Sequence, residues 1–451
     1  MFKSINPYDQ SVIAEFEILN DSSLQKKIDL AAIAYKDWRR ESFSKRAQLL
    51  MNAANLMRQN KEEYARIITF EMGKAINEAR AEVEKCAGAF DYYAQHGERL
   101  LANDIIATEA KQSYVAYQPV GAVFAIMPWN FPFWQVVRFA APTIMAGNVG
   151  LLKHAPNVCQ VSLAIEKIFR EAGFPEGVFQ SLIVDVDKVE GIIQNSIVQA
   201  VTLTGSEYAG SSVAALAGKN IKRSVLELGG SDAFIVLKDA DIEKAAKVAT
   251  QSRMQNAGQS CIAAKRFIVE EAVKDEFIKQ FNENIQSLKQ GNPLDEKVTT
   301  GPMARIDLAE KLERQMNASV KSGARMLTGG ERKGCNFLPT LLDHIQPGMP
   351  AFDEETFGPL AAVITVKDEK EAIITANNSR YGLGAAIWTK DLDRAATLAK
   401  DIEAGAVFVN SLMRSDSRLP FGGIKKSGYG RELSELGIKE FVNAKTILME
   451  D

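Results

Sequence analysis

Cysteine and histidine are scarce in this chain of 451 residues, at four and three copies. Cys86, Cys159, Cys261 and Cys335 show no CxxC spacing, so a disulfide frame is excluded and free thiols in a reducing compartment are expected. His96, His154 and His344 have no ligand-spaced neighbours, which argues against a metal site. No apolar run approaches the roughly 20 residues of a membrane-spanning helix. The run at 120–127 is interrupted by Gly121 and followed by Pro128. Neither charge is in excess. The 54 basic and 57 acidic side chains leave a net charge of −3, too little to attract nucleic acid or anionic lipid. The start passes from Phe2 and Lys3 straight into the polar Asn6, Pro7 and Asp9, without the apolar core of a signal peptide. These absences point to a cytoplasmic globular protein that binds neither nucleic acid nor membrane.

What is present suggests two or three structural units, since one core rarely serves so long a chain. Leu24, Ile28, Ala31, Tyr35 and Trp38 recur at helical spacing behind Asp21, Ser22 and Ser23. A second helical region is expected over about 45–95, broken near Met72 and Gly73. From residue 113 the pattern changes to short strand-like runs at 113–118, 121–126, 148–152, 200–204 and 233–237. A second series follows Cys261, with strands at 266–270, 360–366 and 385–388 and helices at 275–290 and 370–377. Buried strands alternating with amphipathic helices predict an α/β protein with mostly parallel sheets. The pattern places the boundary between its two α/β domains near Gly229 and Gly230.

Three segments carry candidate chemistry. The first is NAGQSC at 256–261. Gly258 permits close backbone approach and polar neighbours leave the Cys261 sulfur reachable, as a nucleophile requires; a buried structural cysteine is the alternative. In ELGGSD at 227–232, Glu227 sits at a strand end beside a flexible turn. A partly desolvated carboxylate there can take a proton from water, unless it is simply solvated or ion-paired. In PWNFPFW at 128–134, two prolines bracket Asn130 among aromatic rings. This suits a rigid oxyanion donor, or equally an aromatic core turn.

Other segments are weaker alone. Gly205 and Ser206 lie between a strand and a helix, where a phosphate would sit, yet Gly205 and Gly210 do not form GxGxxG. Lys153 ends a strand. Glu355 and Phe357, in ETFGP, offer a ribose-binding carboxylate and a ring, and PFGGIKKSGYG at 420–430 reads as a glycine-rich lid or wall.

Taken in order, PWNFP, the Lys153 strand end, TGS…G, ELGG, GQSC, ETFGP and PFGG resemble the aldehyde dehydrogenase superfamily over nearly the whole chain. The short length and the KHAPN segment at 153–157 are most similar to the compact bacterial succinate-semialdehyde dehydrogenases. The resemblance implies a modified Rossmann cofactor domain (1–104 with 121–229), a catalytic domain (230–425), and β oligomerisation segments (105–120 and 426–451) that make a homodimer or homotetramer. It assigns Cys261 as nucleophile, Asn130 with the Cys261 N–H as oxyanion donors, and Glu227 as the base that hydrolyses a thioester. It gives Trp129, Lys153, Gly205, Ser206, Glu355 and Phe357 to the cofactor.

For the substrate, Arg138 lies eight residues beyond Asn130, about two helical turns on. By resemblance this stretch, with Trp134, lines the aldehyde tunnel, and Arg138 clamps a distal carboxylate, as a guanidinium is suited to do. Ser415 is a second expected contact. Gln255 stands where some succinate-semialdehyde enzymes have another arginine. Pro156 replaces the glutamate that many NAD-preferring members use on the adenosine ribose, and it offers a 2′-phosphate no hydroxyl. NAD is expected in preference to NADP, with neither excluded. The alternatives are another aliphatic aldehyde, an acylating enzyme that passes the thioester to coenzyme A, and a non-catalytic protein on the same fold.

Overall fold

The computed structural model describes residues 1–451. It is built around two large, mostly parallel sheets, with the chain passing from one to the other at the ELGG turn. In the six-stranded sheet the order is Gly428–Tyr429, Arg223–Glu227, Val198–Thr204, Ala122–Met127, Val149–His154, Phe179–Ser181. All its pairs are parallel except the first, where Gly428 faces Glu227. The seven-stranded sheet runs Arg325–Thr328, Thr340–Asp343, Leu360–Val366, Ala264–Glu270, Asp232–Val236, Gly384–Trp388, Ala406–Val409. Arg223–Glu227 belongs to the first sheet and Asp232–Val236 to the second, so Gly229 and Gly230 lie between them.

The strands read as near-continuous apolar runs because helices cover both faces. In Asp232–Val236, Ala233 and Ile235 pack into one core with Ile268, Leu342 and Ile387. Phe234 and Val236 enter another with Phe267, Val363 and Trp388. This is the two-residue alternation of a strand buried on both sides.

The early helical stretch resolves into Phe43–Gln59, Lys61–Met72 and Ile76–Leu100. The break lies at Gly73, whose left-handed φ of 80° ends the second of these helices. The helix Trp134–Met145 is buried along its whole length, and Glu207–Lys219 begins at Ser206. A third sheet pairs Val442–Met449 with Gln112–Pro119, and that strand with Asp104–Ile105, all antiparallel. No helix is long and apolar enough to cross a membrane.

Candidate active site

The parallel register of the first sheet gathers its candidate residues at one edge. Ile126 faces Lys153, and Thr204 faces Glu227, so Trp129, Lys153, Gly205 and Glu227 all stand at or just beyond carboxyl ends of strands. Open parallel sheets bind ligands at that edge. The PWNFP turn there is pinned from below. Glu82, on the helix Ile76–Leu100, accepts from the Phe133 and Trp134 N–H groups, both at 3.0 Å. Lys74 pairs with Glu82 and lies 3.8 Å from the centre of the Phe131 ring. The buried His154 ring, held near pKa 4 by desolvation and hence neutral, contacts the Pro132 carbonyl at 2.9 Å. Within this turn Asn130 is buried and donates through Nδ2 to the Gln259 carbonyl at 3.0 Å. An amide nitrogen carries a second N–H, which leaves one donor available.

The Cys261 loop is shaped by backbone strain and buried cations. Asn256 and Ala257 take left-handed φ values of 56° and 50°, followed by Gly258 at 71°. Such a conformation costs a non-glycine residue about 1–2 kcal/mol, so it has to be enforced from outside. Glu78 accepts from the Asn256 N–H through both carboxylate oxygens. The Asn256 side chain donates to the Asn130 carbonyl at 2.7 Å, and Arg253 donates to the carbonyls of Gly258, Ala264, Thr356 and Gly358. Lys265, fully buried, donates to the carbonyls of Ser260, Cys261 and Ala263. The Cys261 N–H meets no acceptor within the protein. Burial pushes the Cys261 thiol up to about 12, with Arg138 and Lys265 pulling the other way. It is therefore a thiol at neutral pH and needs a base.

Among the carboxylates whose charges reach the thiol is Glu227. It is 2% exposed, and neither carboxylate oxygen has a hydrogen-bond partner. Burial raises its pKa well above the ordinary carboxyl range, and the negative charge of Glu432 raises it further. The glycines after Glu227 are demanded by proximity. A Cβ on Gly229 would stand 2.5 Å from Glu355, and one on Gly230 would stand 2.9 Å from the Cys261 carbonyl. Through this gap the Gly230 N–H reaches Glu355 Oε1 at 3.0 Å, and Lys265 lies 3.7 Å from the same oxygen. ELGG thus joins Glu227, the thiol loop and the ETFGP carboxylate.

Cys261, Trp134, Arg138, Gln255 and Ser415 line a single cavity of about 250 Å³, so the expected substrate residues do converge on the thiol. Arg138 differs from expectation. Its guanidinium is ion-paired with Glu432, bonds Thr204 Oγ1 at 3.4 Å, and lies 4.5 Å from the centre of the Phe421 ring. Its charge is met by the protein, because the chain brings the GREL segment after the glycine-rich loop back beneath it. Lys85 also lines this cavity, although nothing in its amphipathic helix marks it out. Lys74, Glu78, Glu82, Arg253, Lys265 and Glu432 likewise escape a sequence reading. The one hint is that Lys265 and Arg266 interrupt an apolar strand.

The cofactor candidates form a second group. Lys153 is largely buried, its ammonium makes no hydrogen bond or ion pair within the protein and keeps some access to solvent, and desolvation lowers its pKa. A partly desolvated ammonium with free donors is chemically fitted to receive hydroxyl or phosphate oxygens. Ser206 caps the helix Glu207–Lys219 by accepting from the Ala209 N–H. Gly205 bonds the Glu227 carbonyl through its N–H. The half-buried Trp129 and Phe357 rings meet edge to face, their centres 5.8 Å apart.

The aldehyde dehydrogenase family model matches residues 1–447. The chain belongs to this family. Among dehydrogenases of the family, the "Probable succinate-semialdehyde dehydrogenase [NADP(+)]" of Synechocystis sp. is 48% identical, with 98% of each chain covered. The Escherichia coli "Succinate semialdehyde dehydrogenase [NAD(P)+] Sad" is 46% identical over 98% of this chain and 97% of that one. A crystal structure of succinic semialdehyde dehydrogenase from Streptococcus pyogenes, in complex with NADP+, superposes with a TM-score of 0.98 at 38% identity over the whole of both chains. An aldehyde dehydrogenase is thus the frame in which the thiol, the orphaned carboxylate and the amide are to be read.

Proposed function

We propose that this protein oxidises succinate semialdehyde to succinate with a nicotinamide dinucleotide, through a thioester on Cys261. The observation that carries the reading is the convergence of an accessible thiol, an unpartnered buried carboxylate and a pinned amide beside a pocket lined by cations and by no carboxylate. The succinate-semialdehyde dehydrogenases among its relatives support the substrate.

Glu227, when ionised, takes the thiol proton, and the sulfur attacks the aldehyde carbon. The developing oxyanion is held by the second Asn130 Nδ2–H and the Cys261 N–H, donors already in place before the reaction. The bound nicotinamide ring supplies the acceptor for the hydride that leaves the tetrahedral carbon, and the carbon remains joined to sulfur as a thioester. Glu227 passes the thiol proton to solvent, then takes a proton from water as the water attacks the thioester; the adduct expels the sulfur, which recovers that proton from Glu227 as the acid departs. A carboxyl with a raised pKa is well matched to such transfers near neutral pH.

Lys153 and Glu355 would hold ribose hydroxyls, Gly205 and Ser206 would face the pyrophosphate, and Trp129 and Phe357 would wall the nicotinamide. The sequence alone leans to NAD, but the NADP-dependent relatives favour NADP, with the exposed Pro156 offering no carboxylate to repel a 2′-phosphate. The unit containing the first sheet is assigned to the cofactor, the second to the substrate side, and the third sheet to assembly. A homo-oligomer in the cytoplasm, with the Val442–Met449 strand meeting another subunit, completes the reading.

The test is initial-rate kcat/KM for succinate semialdehyde and hexanal, with NAD and NADP in parallel and no coenzyme A. Preference for the semialdehyde with release of succinate is expected. Preference for hexanal, or a strict coenzyme A requirement, would overturn the proposal.

A further inference from the structure

The Asn130 amide and the Cys261 N–H lie on turns that are far apart in the chain, yet one helix holds both turns. Glu78 and Glu82 stand four residues apart on Ile76–Leu100, one above the other on the same face. Glu82 accepts from the Phe133 and Trp134 N–H groups and so fixes the PWNFP turn. Glu78 accepts from the Asn256 N–H at 3.0 and 3.1 Å, one contact for each carboxylate oxygen, and so fixes the strained turn before Cys261. Asn256 then ties the two turns together. Its Nδ2 donates to the Asn130 carbonyl at 2.7 Å and to the Gln259 carbonyl at 3.1 Å, the same carbonyl that takes one Asn130 N–H. The Gln259 side chain is held by the Asn256 carbonyl and the Ala304 N–H. The two carboxylates differ in one respect. Glu82 is matched by Lys74, whereas Glu78 makes no ion pair and spends its only hydrogen bonds on Asn256.

We infer that Glu78 is a positioning residue for the oxyanion: its grip on Asn256 aligns the Cys261 N–H with the free Asn130 N–H. The helix is a rigid spacer, and carboxylates one turn apart, about 5.4 Å along its axis, carry the two turns in fixed register. Without Glu78, Asn256 keeps its side-chain bonds but loses the anchor of its left-handed backbone, and the donors fall out of register. Donors of this kind act because they need not reorganise as charge develops. The inference rests on the proposed thioester reaction and adds a residue that does not line the substrate cavity. Glu78 borders instead a separate open cavity of about 510 Å³.

The experiment compares the wild-type enzyme with Glu78→Ala, Glu78→Asp and Glu78→Gln in two reactions of one thiol. Oxidation of succinate semialdehyde passes through an oxyanion; alkylation by iodoacetamide does not. Glu78→Ala is expected to lower the saturating single-turnover rate of NADPH formation roughly 10- to 100-fold, the effect of a small misplacement. NADP binding and alkylation should stay within about threefold of wild type. Water can reach the freed Asn256 N–H from the open cavity, so the variant should remain folded. Glu78→Asp keeps the charge but withdraws the acceptor, and should show the same split. Glu78→Gln keeps an acceptor within reach without the charge, and should recover most of the rate. The role is overturned if Glu78→Ala and Glu78→Asp oxidise the aldehyde at the wild-type rate, if alkylation falls as far as oxidation, or if Glu78→Gln is as slow as Glu78→Ala. A wild-type protein that oxidises no aldehyde would overturn the thioester reading instead.

Discussion

Arg138 and Glu432 form an ion pair in the protein interior, 2% and 5% exposed, and both charges act on Glu227. Burial raises the Glu227 pKa first; Glu432 then disfavours its carboxylate and Arg138 favours it, so the pair adjusts the proton affinity of Glu227. Breaking a buried pair leaves an unmatched charge, at a cost of about 3–5 kcal/mol. Arg138→Met should therefore lower the unfolding temperature and reduce kcat/KM for succinate semialdehyde and butanal in parallel. Replacing both partners, as Arg138→Met with Glu432→Leu, should recover much of the stability. A loss confined to the semialdehyde would return Arg138 to the role of carboxylate clamp.

The pH dependence follows from the same geometry. Because burial and Glu432 both raise the Glu227 pKa, the fraction able to act as base grows as pH rises beyond the ordinary carboxyl range. The deacylation rate should rise over that interval. Glu432→Gln removes the like charge and leaves Arg138 unopposed, so the rise should move to lower pH. In Glu227→Gln the rise should vanish and a thioester should accumulate, visible as an acyl adduct by mass spectrometry. An unchanged profile in that variant would assign the base elsewhere.

Cys261→Ala should abolish turnover while NADP still binds, because the cofactor candidates belong to other segments. Residual turnover beyond about a thousandth of the wild-type rate would remove the thiol from the reaction.

Lys153 offers a test that separates function from stability. Its ammonium has no partner in the protein and is partly desolvated, so Lys153→Met should leave the cofactor-free protein about as stable as wild type. The same change should weaken NADP binding by about tenfold or more in a fluorescence titration. Loss of stability with unaltered binding would mark Lys153 as structural.

Ala257 is strained at φ 50° in a buried turn. Ala257→Gly should relieve roughly 1 kcal/mol of that strain and raise the unfolding temperature slightly. A destabilised variant would show that Ala257 packing outweighs its backbone cost.

Much of this was legible in the chain itself. The strand at 233–237 and the helix break at Gly73 are local events, governed by side-chain periodicity and by the freedom of one glycine. Boundaries were less exact: the helix expected to reach residue 290 ends at Gln286. The roles proposed for Cys261, Glu227 and Asn130 were readable because each lies in a short motif whose neighbours shape its backbone. The glycines of ELGG were visible as flexible, yet their purpose, admitting Glu355 and the Cys261 carbonyl, depends on segments more than thirty residues away.

The sequence by itself determined which chemistry is available: a thiol, a carboxylate and an amide in ordered motifs, and an alternation that requires two covered sheets. Only the tertiary structure decided how the charges are shared. Arg138 stands where a clamp was expected, but Glu432 arrives from the far end of the chain and pairs with it, while the exposed Lys85 meets Ser415 across 330 residues. Periodicity and motifs report a residue's own neighbours along the chain. Whether a buried cation such as Arg138 is paired depends on what folding places beside it, and in a medium of low polarity that pairing determines what the cation can bind.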